Sequence, residues 1–492
     1  MSILVVDVGT SGVRAALVRA DGEVEHVHYR QVLPSSPAPS FVEFDGAELR
    51  DAVLEVARAA LASAGGSAGG SAGGSAGGVE AVGIANQRAS TLVWDRATGQ
   101  PVANGIGWQD LRTVGMCLVL QAQGIRLAPN ASATKLAALL DIYDPGRERD
   151  LCFGTVDTWV AWVLSEGALH ITDATNAGVT GLVEHGSVGW DPRVLDALRV
   201  PESVLPTIVD SSGVVGEATA LAGSPPIAGI AGDQQASLIG QGCTRPGLAK
   251  VTFGTGGMLD LCVGPDRPGF ETRGGGCCFP IVAWRRGGAD TWGIEAVMLS
   301  AGTCVEWLRD DMGLVSTAAE SAEVAAQCDD TGDVWFVPAL LGLGTPDWDF
   351  GARGTLLGLT RGTGRAEVVR AVLEGVAHRG ADLVDAAETD GHVSIGALRI
   401  DGGMSANPVF VQALADAAAR PVEVSPVLEA TTLGAAYLAG MAVGVWKDEA
   451  EVAESWRPRE VVEPRRRVDR DRWRAAVERA KQTVPELSGL DF

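Results

Sequence analysis

Two stretches of the chain share one design. ILVVDVGTSG (residues 3–12) and AKVTFGTGGM (residues 249–258) each run as a short apolar, β-branched segment into a Gly-Thr turn, and a second apolar run follows each. Such a run reads as a buried strand feeding straight into a turn. Glycine there lets the backbone come close to an anion, and neighbouring hydroxyls and amides supply donors. One copy lies in each half, which suggests an internal repeat. A chain that opens each half with the same unit, and alternates strands with helical stretches in between, is predicted to form an α/β protein of two lobes.

Around that frame the pattern is legible in outline. AALVRADGEV continues the first unit as a strand and a turn at Asp21-Gly22, and a third strand completes a meander. Residues 46–62 have helical spacing with acids early. The SAGG repeat at 63–78 carries no side chain larger than Ser and reads as a flexible loop before the strand VEAVGIAN (79–86). In the second half, helices are predicted at 292–313 and 365–389, with strands at VWFVPAL (334–340) and ALRIDGG (397–403). A solvated helix is expected around 468–485.

Composition narrows the function classes. A chain of 492 residues with 46% hydrophobic content has material for more than one core. A net charge of −23 argues against nucleic acid or an anionic membrane as partner, yet leaves room for a local cationic pocket. No run reaches the roughly 18 apolar residues of a membrane-spanning helix, and the start of the chain lacks the features of a secretory signal. The eight cysteines contain no C-x-x-C pair, so reduced thiols in a cytoplasmic protein are expected, and zinc is not.

Four segments carry chemistry. In Asp7-Val8-Gly9-Thr10-Ser11-Gly12-Val13-Arg14 a strand delivers a carboxylate to its end, followed by donors and a cation. That suits a polyphosphate, with Asp7 able to hold magnesium through water; a simple β-hairpin is the alternative. Gly232-Asp233-Gln234-Gln235 places a carboxylate where it could take a proton from a substrate hydroxyl, or where it merely caps a helix. Phe253-Gly254-Thr255-Gly256-Gly257 is the second phosphate-type turn. Asp401-Gly402-Gly403-Met404-Ser405-Ala406-Asn407 permits approach of a flat ring, with Asn407 able to bond a purine edge, or is an ordinary strand-to-helix turn. There is no G-x-x-x-x-G-K-[ST] loop and no protein-kinase motif set.

These segments, in this order, resemble the FGGY carbohydrate kinases, and within them the glycerol-kinase branch. The resemblance runs from Asp7 to about Trp446, through residues 86–113, 153–164, 227–241, 336–363, 399–407 and 431–446. It implies two RNase H-like domains of the actin/hexokinase ATPase type, at 1–242 and 243–492, with the active site in the cleft between them. It implies transfer of the γ-phosphate of ATP to a small polyol in the presence of Mg²⁺. Thr10, Ser11, Arg14 and Thr255 match the phosphate loops, and Gly302, Gly403 and Asn407 match nucleotide-site positions. Glu306 stands where the family has Gln. Asp7 and Asp233 match the metal-linked positions and Asp233 the catalytic base.

Arg88, Trp108, Asp233 and Gln234 match the polyol site. Three further polyol positions depart from the branch pattern: Ala89 replaces an acid, and Asn130 and Met258 replace aromatics. The departures imply a roomier pocket and admit a larger substrate: a tetritol, a pentitol or a ketopentose such as xylulose. A non-catalytic actin-like ATP-binding protein is the remaining alternative. The resemblance also implies a homodimer or homotetramer. The run VVGEATALAGSPPIAGIAGD (214–233) has no Lys or Arg where some relatives bind fructose bisphosphate. Gel filtration and thermal inactivation are therefore expected to be unchanged by that ligand, and a clear shift in either would contradict the expectation.

Overall fold

The computed structural model describes residues 1–67, 78–184, 189–427 and 429–490. Strands Ser2–Val8, Gly12–Arg19 and Val24–Gln31 form the antiparallel meander, paired Val8 to Val13 at the first turn. Val79–Asn86 adds to the first strand in parallel, and Pro226–Gly232 adds to that. With the strands ranked by position in the chain, the order is 3-2-1-4-5.

The second half repeats it. Ala249–Phe253 and Gly257–Gly264 pair antiparallel, Ala289–Met298 pairs antiparallel on the outer side of the second, and Leu398–Asp401 then Val422–Val424 add in parallel beside the first. The repeat seen in the two Gly-Thr turns is thus a repeat of topology. The two lobes are continuous through one pairing, Ser212 with Arg286, between Ser212–Glu217 and Phe279–Arg286.

The Gly46–Ser67 helix covers the N-terminal sheet because Leu49, Ala52, Val53, Val56, Ala57 and Ala60 recur at helical spacing and are all buried. It runs past residue 62 into the SAGG repeat, whose residues 68–77 lie outside the described residues. Two other readings change. Residues 292–313 are not one helix: Ala289–Met298 is a strand, and the helix is Gly302–Asp310. Trp292 to Met298 lies between two strands of the sheet, and a short apolar run does not by its period distinguish that setting from a buried helix. The Arg470–Ala480 helix is not solvated throughout, since Trp473 is fully buried against Val337 and Ala339 and stacks on His378 at 4.8 Å. Among the described residues no helix is long and apolar enough to cross a membrane.

The lobes meet in a core of their own. The Asp233–Gly240 helix of the first half packs on the Ala430–Val443 helix of the second, and that helix also covers Ala81, Ala85, Ala228 and Ala231 of the first sheet. The expected division at 242/243 therefore falls after a helix that both halves bury. Backbone approach is so close that a Cβ at Gly434 would run into the carbonyl of Ala236, and one at Gly240 into that of Ala430. Gly434→Val is expected to force the helices apart at about 1–3 kcal/mol and to lower the melting temperature by about 1–3 °C. Gly396→Ala, which meets nothing within 4 Å, is the control and should leave the melting temperature unchanged.

Candidate active site

The parallel strands of each lobe end at the same cleft, where ligands of open α/β sheets bind. Asp7 precedes Val8 at the end of the first strand, Arg88 follows Asn86, and Asp233 follows Gly232; Val8, Asn86 and Gly232 are neighbours in register. Asp233 is the first residue of its helix, with Gly232 as the cap, so it is not spent as an N-cap. One Asp233 oxygen accepts from the Gln234 amide at 2.8 Å and lies 3.5 Å from Arg88 Nε. Burial pushes the Asp233 carboxyl up, against the pull of Arg88, the Gln234 amide and Lys250. Asp7 is pushed up to about 7, first by burial and further by Asp233, with Arg14 opposing. The two carboxylates therefore feel one another.

Arg88 binds both lobes. Beside Asp233 it forms an ion pair with Glu295 at 2.7 Å and donates to Gln235 at 3.4 Å, and its side chain is only 11% exposed. Burial works against its charge, and Glu295, Asp233 and Asp260 outweigh it. The loop that carries it is fixed on both sides. Ser132 donates to the Ala89 carbonyl at 3.0 Å, and the Trp108 amide donates to Ser90 at 3.1 Å. Ala89 itself sits at φ +61° and is buried. Trp108 is half-exposed and its indole N–H reaches Thr10 at 3.2 Å, so a residue expected in the polyol site and one expected in the first phosphate loop are in contact.

The phosphate turns are built from several chain segments. In the first, Gln87 donates to the Gly9 carbonyl at 3.4 Å, Ser11 is exposed, and Arg14 pairs with Glu429 from the other half of the chain. In the second, the Gly254 carbonyl accepts from Gly302 at 2.8 Å and the Thr255 carbonyl from Ala301 at 2.9 Å, so Thr255 and Gly302 are brought together. Glu306 is exposed on the helix that Gly302 opens. The third turn closes on the second. Gly402, at φ +84°, lies so near the Phe253 carbonyl that no side chain fits. Gly403 beside it is open. Asn407 is committed to the fold: its oxygen accepts from Val409 and Phe410, both at 3.1 Å, and its amide donates to Ser321. Its oxygen thus caps the following helix, the turn alternative read from sequence, while one N–H of its amide stays beyond the Ser321 bond.

Several residues that build the cleft were not singled out from sequence. Lys250, Asp260 and Glu295 stand side by side across three strands. Lys250 pairs with Asp260 at 2.8 Å, both fully buried, and donates to Gln234 at 2.6 Å. Each is a lone charge in an apolar strand (AKVTF, MLDLCV, GIEAV), and that is the signal that could have found them. Behind the base, Thr175 accepts from the Gly232 amide at 2.9 Å, and Asn176 and Asn86 exchange bonds of 2.8 and 3.0 Å. Asp173 holds Thr175 and Asn176 in turn. These partners fix the strand ends that carry Arg88 and Asp233.

Lys135 does the same for the polyol side. Its ammonium is fully buried and donates to the carbonyls of Trp108 at 3.0 Å and Asn130 at 2.9 Å. It thereby joins two expected polyol segments, while the Asn130 side chain stays exposed and Met258 half-buried on its strand. Burial pulls Lys135 down to about 7, against Asp110 and Cys117. The unfolded chain keeps that proton to a much higher pH, so above the folded value it binds more protons and stability rises with pH. Wild type is expected to gain stability between about pH 7 and about pH 9 relative to Lys135→Met, read as urea midpoints. Equal pH slopes in the two proteins would contradict this.

Comparison with known proteins agrees with this geometry. The N-terminal domain of the FGGY family of carbohydrate kinases matches residues 2–240, and its C-terminal domain matches 250–443. A glycerol kinase of Rhodopirellula baltica is 40% identical, over 100% of this chain and 93% of its own. One of Aromatoleum aromaticum is 42% identical, over 98% and 99%. Among solved structures, a Plasmodium falciparum glycerol kinase with ADP superposes with a TM-score of 0.89 at 27% identity, covering 97% of this chain and 98% of that one. A xylulose kinase of Brucella ovis, with a TM-score of 0.84 at 24% identity over 100% of each chain, shares the fold. The chain belongs to the FGGY family of carbohydrate kinases.

Proposed function

We propose that the protein transfers the γ-phosphate of ATP to a hydroxyl of glycerol. The observation that carries the reading is the position of Asp233: a partly buried carboxylate at the first turn of a helix, at the junction of the lobes, between Arg88 and Gln234 and within electrostatic reach of Asp7. Full-length similarity to glycerol kinases near 40% identity supports the choice of acceptor.

In this reading the substrate hydroxyl gives its proton to an Asp233 carboxylate oxygen as its own oxygen bonds to the γ-phosphorus. The bond from that phosphorus to the β–γ bridging oxygen breaks, and ADP leaves. Arg88 and Trp108 orient the acceptor, Arg88 by hydrogen bonds and Trp108 by its apolar face. The backbone and hydroxyls at Thr10, Ser11 and Thr255 meet the charge that develops on the phosphoryl oxygens. Asp7 and Asp233 fit a divalent cation, because burial of two acids within reach of each other is relieved by a positive charge. Mg²⁺ there would neutralise phosphate charge. Arg14 would exchange Glu429 for a phosphate, and Gly403 would leave room for the base of the nucleotide.

A larger polyol or ketopentose is the second reading, favoured by Ala89, Asn130 and Met258 in place of bulkier groups. A homodimer or homotetramer in the cytoplasm completes the proposal. The test is ATP consumption across glycerol, dihydroxyacetone, tetritols, pentitols and ketopentoses. Glycerol should give the highest kcat/KM, and Asp233→Asn should abolish turnover. Ala89→Glu should raise kcat/KM for glycerol by about tenfold, the value of one charge-assisted hydrogen bond. Turnover that survives Asp233→Asn would refute the mechanism, and a ketopentose preferred over glycerol would establish the second reading.

A further inference from the structure

We propose that the buried Lys250–Asp260 pair is a specificity device that fixes Gln234 as a hydrogen-bond donor toward the acceptor substrate. The proposal rests on the polyol-kinase reading above. Lys250 is ion-paired with Asp260 at 2.8 Å and donates two hydrogen bonds, to Gln234 Oε1 at 2.6 Å and to Thr252 at 3.1 Å. An ammonium only donates, so the Gln234 atom facing it is the oxygen. That leaves Nε2 of Gln234 with no partner among the described residues, on a half-buried side chain next to the proposed base.

The energetics point the same way. Lys250 and Asp260 are both fully buried, and neither Asp260 oxygen has a hydrogen-bond partner among the described residues beyond the ion pair itself. A buried pair with an orphaned oxygen is poor at stabilising a fold, since desolvation offsets most of the attraction. Besides its electrostatic influence on Asp233, Arg88 and Glu295, the pair removes the freedom of one amide. Lys250 and Asp260 face each other in register across neighbouring strands, so the ammonium is held by two rigid elements. Met258, an expected polyol-pocket residue, lies two positions from Asp260 on the same face of the strand.

Lys250 and Asp260 are thus positioning residues, and the chemistry they select is a substrate oxygen able to accept, other than the one phosphorylated. A site with a fixed, otherwise unpaired donor discriminates against an analogue that lacks the matching oxygen. A mobile amide turns away and discriminates less.

The test compares glycerol with the two propanediols, one lacking the central hydroxyl and one a terminal hydroxyl. In wild type, at least one diol should fall about a hundredfold below glycerol in kcat/KM. In Lys250→Met/Asp260→Leu, which removes both charges together, that ratio should collapse to about tenfold or less, with glycerol losing most. Gln234→Glu, which keeps the Lys250 contact but has no donor, should collapse it too. If glycerol and the diol fall by the same factor in both variants, the pair is merely structural and the proposal is overturned. Turnover of none of these by wild type would overturn the glycerol reading instead. In that case the Gln234 side-chain amide resonance, assigned by its loss in Gln234→Glu, still decides: it should move in the double variant, and an unchanged resonance overturns the proposal.

Discussion

The cleft is organised around one buried cation. Arg88 leaves the end of a strand in the first lobe and is shared by Asp233, by Gln235 on the same helix, and by Glu295 from a strand of the second lobe. Burying a guanidinium is tolerable only when its donors are matched, and here the matching groups come from both sides of the cleft. The same contacts orient the base. Arg88 therefore couples the relative position of the lobes to the state of Asp233. Glu295 is pushed up by its own burial and by Asp260, with Arg88 opposing.

Close packing between the lobes makes that coupling possible. The Asp233–Gly240 and Ala430–Val443 helices approach so nearly that glycine and alanine line the contact. Each half supplies one helix, so neither half buries the apolar surface of this shared core alone. Asp233, the proposed base, begins one of these helices, and Glu429, which pairs with Arg14, stands at the start of the other. Phosphate-loop and base positions thus sit at the ends of the elements that hold the halves together.

The proposed polyol pocket combines a fixed frame with altered contents. Ser132, Lys135 and Ser90 hold the loops that carry Ala89, Asn130 and Trp108 through backbone atoms, which are indifferent to the side chains those loops present. Substitution at 89, 130 and 258 can therefore change the pocket without disturbing its walls. Lys250 and Asp260 act one layer further back, where they fix an amide rather than touch the substrate.

The sequence alone determined the repeat, the two Gly-Thr turns and the placement of Asp7 and Asp233 at strand ends, because a β-branched run followed by glycine has few other solutions. Family resemblance then assigned Arg88, Trp108 and Gln234. Only the tertiary structure decided that residues 292–298 form a strand, since their neighbours in the sheet are distant in sequence. It alone showed that Asn407 caps a helix and that Trp473 is buried. It also brought Lys250, Asp260 and Glu295 into one row beneath the base, and Lys135 beneath the polyol loops. Each of these depends on which strand lies beside which, and local pattern carries no record of such long-range neighbours.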